Sequence, residues 1–145
     1  MEDNIDSWPR SYFRNISEAI PYIETSDLIV RSKRGGPGDH WGVVLAGGLV
    51  LEGQAGLGSC LTGLSDFAPN ERVTVIKPPH LYRGIINIRA NKELLTGKPY
   101  DFLTNNCEHV ARRVATGEST SGQIVVLTIL GVASASLFLM SSRNQ

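Results

Sequence analysis

Hydrophobic and polar positions along the chain fall into two regimes. Between Leu28 and Ile76 the apolar residues come in short runs, Leu28 to Val30, Trp41 to Leu45, Leu49 to Leu51 and Val73 to Ile76. Each run is rich in Val, Ile and Leu and bounded by Gly, Pro, Asn or Asp, which predicts four short antiparallel strands. Pro78 and Pro79 close the last one, because neither can donate to a ladder. The period then lengthens. Ile85, Ile86, Ala90 and Leu94 mark one side of a helix over Tyr82 to Thr96, with Gly97 as its stop. A second helix begins near Cys107, with Asn105 and Asn106 as N-cap candidates, an apolar stripe of Val110, Ala111, Val114 and Ala115, and Gly117 at its end. Strands first and helices later give an α+β class, a small antiparallel sheet packed on helices.

These elements place a domain over residues 26–117. Residues 1–25 form an N-terminal extension with Pro9, Pro21 and a short helix candidate from Ile16 to Ile20, and two readings stand for it, a regulatory arm or edge packing. A polar stretch, TGESTSGQ from Thr116 to Gln123, contains the linker over 118–123. The run IVVLTILGVASASLFLM, residues 124–140, carries no charge. At a rise of about 1.5 Å per residue it spans about 26 Å as a helix, slightly short of a hydrocarbon core of about 30 Å, so it could cross a thin membrane. It reads as a C-terminal hydrophobic helix and transmembrane tail anchor; the competing reading is a core helix of the domain. Gly131 and Ala135 make a small-x-x-x-small pair that hints at a weak dimer through the tail. MEDNIDSWPR has no apolar signal segment, so the anchored domain is expected to face the cytosol. Gln145 would suit release from a polyprotein by a Gln-directed protease, whereas Met1 argues the other way.

Composition removes several classes. Lys plus Arg number 14 and Asp plus Glu number 14, a net charge of zero. That balance lacks the basic footprint of a nucleic-acid-binding module. The two cysteines, Cys60 and Cys107, are too few for a disulfide scaffold or a four-thiolate zinc site. No metal or cofactor is read from the sequence, and a reduced compartment fits best.

Candidate chemistry centres on Cys107. In the first turn of a helix, unpaired backbone N–H groups and the helix dipole stabilise a thiolate. Cys107 also precedes Val110 and Ala111 by three and four residues, so it lies on the buried stripe. It is a nucleophile candidate, against the plain alternative of a structural Cys; Cys60 has no base or cap pattern and reads as structural. A base is needed. His109, two positions on, points to another face and reads as structural or as an outward polar residue, and His80 reads as a loop residue. His40 opens the strand that contains Trp41, a fixed support for a general base. Glu52 is the candidate to orient its imidazole. If Ala46-Gly47-Gly48 is a three-residue loop, Gly42 faces Glu52 and Glu52 shares the face of His40, one diagonal step of roughly 7 to 8 Å away. Gly42 would then leave the space between them open. A two-residue Gly47-Gly48 turn would pair Glu52 with Val43 and turn it to the other face.

His40-Trp41-Gly42 followed by an apolar strand and a Gly turn resembles the H-box of the lecithin:retinol acyltransferase family, and Asn106-Cys107-Glu108-His109 resembles its N-C-E-H motif. The likeness extends to Asp27-Leu28-Ile29, Leu64-Ser65-Asp66-Phe67-Ala68 and Gly97-Lys98-Pro99-Tyr100-Asp101, covering residues 26–117, and the apolar tail resembles that of the small membrane-anchored phospholipase A/acyltransferases. The resemblance implies a permuted papain-like thiol hydrolase fold, in which the His strand precedes the Cys helix. It implies acyl transfer from a phospholipid donor, through a thioester on Cys107, to an acceptor the sequence does not identify. Cys107 matches the nucleophile and His40 the base, and Glu52 stands where the family often has a second His. Arg31, Lys33 and Arg34, just before His40, are read either as a contact to anionic headgroups or as a solvated loop. Two other classes stay open: a permuted papain-like peptidase or amidase, and a non-enzymatic interaction protein like viral proteins with the same H-box and N-C pair.

Overall fold

The four apolar runs are strands, and two more polar segments join them. In the computed structural model, which describes residues 4–34, 37–96, 98–101 and 106–117, the strands are β1 (Arg10–Phe13), β2 (Leu28–Ser32), β3 (Asp39–Leu45), β4 (Leu49–Gln54), β5 (Gly58–Gly63) and β6 (Val73–Ile76). They form one sheet in the order β1-β6-β2-β3-β4-β5, with every neighbouring pair antiparallel. The helices are α1 (Ile16–Ala19), α2 (Leu64–Phe67), α3 (Arg83–Thr96) and α4 (Cys107–Thr116). The class is α+β.

Strand alternation divides the core in two. Leu28, Val30, Trp41, Val43, Leu51 and Ile76 face one side, where they pack with Ile86 and Ala90 of α3 and Val110, Ala111, Val114 and Ala115 of α4. Ile29, Val44, Val50, Val73 and Val75 face the other side, under Phe67 and Ile16. Side chains on successive strand positions point to opposite faces, so a short strand buried on both sides reads as a continuous apolar run. That is why β2 and β3 were visible as such.

The first 25 residues include sheet and core. β1 pairs with β6 at the sheet edge, Arg10 opposite Ile76 through Phe13 opposite Val73, and Ile5 and Trp8 are buried in the α3/α4 side of the core. The helix expected over Ile16 to Ile20 is one turn, Ile16–Ala19, continued by a 3-10 turn over Ile20–Tyr22 that admits Pro21 near its start. The linker and the tail run of residues 124–140, with its pairing motif, lie outside the described residues. Among the described residues no helix is long and apolar enough to cross a membrane.

Candidate active site

The hairpin between β3 and β4 fixes the site. Its loop is Ala46-Gly47-Gly48, with Gly47 and Gly48 at φ of 76° and 72°, a left-handed geometry that costs glycine nothing. The register follows the three-residue reading: Leu45 faces Leu49 and Gly42 faces Glu52. Glu52 therefore shares a face with His40, and its Oε2 takes a hydrogen bond from His40 Nε2. The space over Gly42 is not open, as the sequence suggested. A Cβ there would come within 2.4 Å of Val50 Cγ1 and 2.9 Å of Phe67 Cε2, so two apolar side chains fill it. The Phe67 ring also lies against the imidazole, with centroids 5.3 Å apart.

Cys107 approaches from the other layer. It is the first residue of α4, which packs against the face opposite to His40, and Gly53 permits that approach: a Cβ on Gly53 would lie 3.3 Å from Cys107 Cα and 3.3 Å from Val110 Cγ2. β3 and β4 pair only from Gly42 opposite Glu52 inward to Leu45 opposite Leu49. His40 thus stands beyond the last pair, where the strands part, and there the thiol meets it. Cys107 and His40 act on one another's charge here, and the Cys107 thiol donates to the Asp39 carbonyl oxygen at 3.7 Å. With Nε2 engaged by Glu52, Nδ1 is the ring nitrogen left for the thiol.

The local sequence explains the helix start. Asn106 caps α4: its side-chain oxygen accepts from the His109 N–H at 3.0 Å, and its own N–H donates to His109 Nδ1 at 3.3 Å. This reciprocal pair is a capping box with His in the place usually held by Glu or Gln. His109 is therefore structural and buried. Glu108, also buried, accepts from Arg112 Nε at 2.9 Å. Arg112 in turn reaches Asp6 Oδ1 at 3.1 Å and lies over the Trp41 ring at 5.6 Å, so the N-terminal segment braces the cysteine helix. His80 begins an exposed 3-10 turn far along the chain from these groups.

Charge is distributed along a chain of three groups. Burial, the largest single influence, pushes the Cys107 thiol up; the hydrogen bond and charge of His40, the Trp41 backbone and the charge of Lys33 outweigh it and hold the thiol below its ordinary value. Burial also opposes a charge on His40 most strongly, yet its hydrogen bonds to Cys107 and Glu52 and their charges raise it. Glu52 is 2% exposed. Burial would raise its carboxyl, and hydrogen bonds from His40, Thr62 and Gln54 lower it instead. The Gln54 bond is 2.8 Å long, and Thr62 Oγ1 donates to the same Oε1. Thr62 and Gln54 went unread in the sequence; the signal was the β4/β5 register, which puts Cys60 opposite Glu52 and Thr62 opposite Val50, on the same face.

The basic loop is largely committed to protein partners. Arg31, directly across from His40, donates from Nε to the Phe67 carbonyl at 2.5 Å and lies over the Phe67 ring at 5.3 Å. Glu71 pairs with Arg34 and lies 3.8 Å from Arg31 Nε. Cys60 is half-buried on β5, and burial followed by the charge of Glu52 raises its thiol. Among the described residues no cluster of His, Cys, Asp and Glu is arranged to hold a metal ion. The arrangement of Cys107, His40 and Glu52 can deprotonate a thiol, hold the resulting imidazolium and return its proton to a leaving group. Compared with protein-family models, curated proteins and solved structures, the chain matches none of them.

Proposed function

We propose that the protein is a thiol acyltransferase or phospholipase A with a permuted papain-like arrangement, acting on phospholipid and held at a membrane by residues 124–140, its domain facing the cytosol. The reading is carried by one observation: a buried cysteine at a helix start beside an imidazole that is itself bonded to a buried carboxylate. In the first half-reaction His40 takes the Cys107 proton, the thiolate attacks the ester carbonyl carbon and a C–S bond forms. The ester C–O bond then breaks, and the His40 proton passes to the departing alkoxide. Backbone N–H groups at the start of α4 would hold the oxyanion of the tetrahedral intermediate. In the second half-reaction His40 takes a proton from water, an alcohol or an amine, which attacks the thioester and restores the thiol. The resemblance of the two motifs supports phospholipid as donor, and the uncharged tail supports the membrane.

Intact-protein mass spectrometry after incubation with phospholipid vesicles tests this reading. The native chain is expected to gain one fatty-acyl mass that Cys107→Ala does not. A folded native chain without any adduct would overturn the reading in favour of a non-enzymatic interaction protein.

A further inference from the structure

Helix α3 buries one side against the sheet and α4, at Ile86, Ala90 and Glu93, and among the described residues a second apolar side is exposed. Ile88 is 65% exposed and Leu95 85%; Ile85 is exposed beside them, and Leu81 in the preceding turn is 83% exposed. With Lys92 these positions step by four, three, four and three residues, which places them on one helical face. Lys92 can lay its aliphatic stem along that stripe and carry its charge past it. On one flank a cavity of about 370 Å³ is lined by Arg89, Lys92, Lys98 and Arg113. Its acid, Glu93, is buried and takes two hydrogen bonds from Arg113, at 2.6 and 3.0 Å. Four cations line the cavity against this one acid, with Arg89 donating from Nη1 to the Ala115 carbonyl oxygen at 3.1 Å and the charge of Lys98 acting on Glu93, so the corner keeps a positive excess in a chain whose net charge is zero.

The same corner holds the end of α4. Gly117 ends α4 in the left-handed region, and a Cβ there would lie 3.1 Å from Arg89 Nη2. Seven residues beyond it, a reach of at most about 25 Å, the uncharged run of residues 124–140 begins.

The geometry points to α3 as the face that docks on an anionic phospholipid bilayer, with Leu81, Ile85, Ile88 and Leu95 entering the acyl boundary and Arg89 and Lys92 meeting lipid phosphates. An apolar stripe flanked by cations is the composition of an interfacial helix. The chain's own tail would satisfy the stripe and offer no charge to the cations, and a second copy across this face would oppose like charges. The inference rests on the membrane part of the proposed function and is independent of the thiol chemistry.

The test uses the full chain carrying Cys107→Ala, with a tryptophan reporter at Leu95→Trp or, at the far edge of the sheet, Tyr12→Trp; native Trp8 and Trp41 are buried and supply the background. Vesicles contain phosphatidylcholine and phosphatidylserine with brominated acyl chains. Leu95→Trp is expected to shift to the blue and be quenched, and Tyr12→Trp to do neither. Adding Lys92→Ala should lower the docked-to-undocked ratio about fivefold, one cation's worth at an anionic surface. Flotation with vesicles but no quenching at position 95 overturns the docking face and leaves the anchor standing. A blue shift without vesicles shows the stripe covered by the tail or a second copy, and also overturns it. No flotation overturns both.

Discussion

Replacing Glu52 with Gln keeps the shape of the side chain and removes its charge, which isolates the electrostatic contribution of the third residue. In the native site the carboxylate accepts from His40, Thr62 and Gln54. In the variant the amide oxygen can still accept from His40, while its NH2 turns to Thr62 and Gln54. The Thr62 hydroxyl can accept, and Gln54 must flip its amide to do so. A hydrogen bond to a charged group contributes about 1.5 to 3 kcal/mol and a neutral one about 0.5 to 1.5. The loss is therefore about 1 to 2 kcal/mol in favour of the uncharged imidazole, or roughly one pKa unit. Because His40 is the main group that lowers the Cys107 thiol, the thiolate midpoint should rise by about the same amount, and turnover should fall roughly tenfold.

Peptide-resolved alkylation with iodoacetamide across pH measures this directly, since only thiolate reacts. Cys60 serves as an internal control of opposite sign: part of its rise comes from the charge of Glu52, so its midpoint should fall in the same variant. Opposed shifts exclude general loosening. A folded Glu52→Gln protein in which the Cys107 midpoint stays in place, or moves together with that of Cys60, would refute the electrostatic role of Glu52. The pH dependence of stability follows the same logic. A carboxyl lowered in the folded state stabilises above its unfolded value near 4.3, and the contribution is lost as pH falls through the folded value; the Gln variant should lack that acid-sensitive increment in urea titrations.

Gly53→Ala should place a methyl 3.3 Å from Cys107 Cα and push α4 outward, costing about 1 to 3 kcal/mol in urea unfolding; an unchanged midpoint would mean that the helix does not rest on β4 there. Asn106→Ala removes the cap on the cysteine helix and should cost about 1 kcal/mol, with faster amide exchange confined to the first turn of α4 as its signature.

The sequence is most legible where physical requirements are local. The Ala46-Gly47-Gly48 loop determines the β3/β4 register, and with it the meeting of His40 and Glu52. Asn106 and Gly117 bound α4 as their capping chemistry predicts. Two strands were not legible. β1 reads Arg-Ser-Tyr-Phe and β5 reads Gly-Ser-Cys-Leu-Thr-Gly, because edge strands bury little and need no apolar run. Missing β5 meant missing Thr62, and the filled space over Gly42 depended on Phe67, which lies 25 residues away in the chain and comes into contact only through the fold.

The capping box at the start of α4 ties the cysteine helix to proton concentration. His109 can accept from the Asn106 N–H only while Nδ1 is bare, and burial, the largest influence, lowers its affinity for a proton. A histidine lowered in the folded state stabilises above its unfolded value near 6.5, and that contribution is lost as pH falls through the folded value. His40 is raised: burial, its largest influence, opposes the charge, and its partners Cys107 and Glu52 outweigh it. The two histidines therefore depart from their ordinary values in opposite directions, His109 lowered and His40 raised. Acidification releases the clasp that starts the helix, and rising pH removes from His40 the charge that lowers the Cys107 thiol.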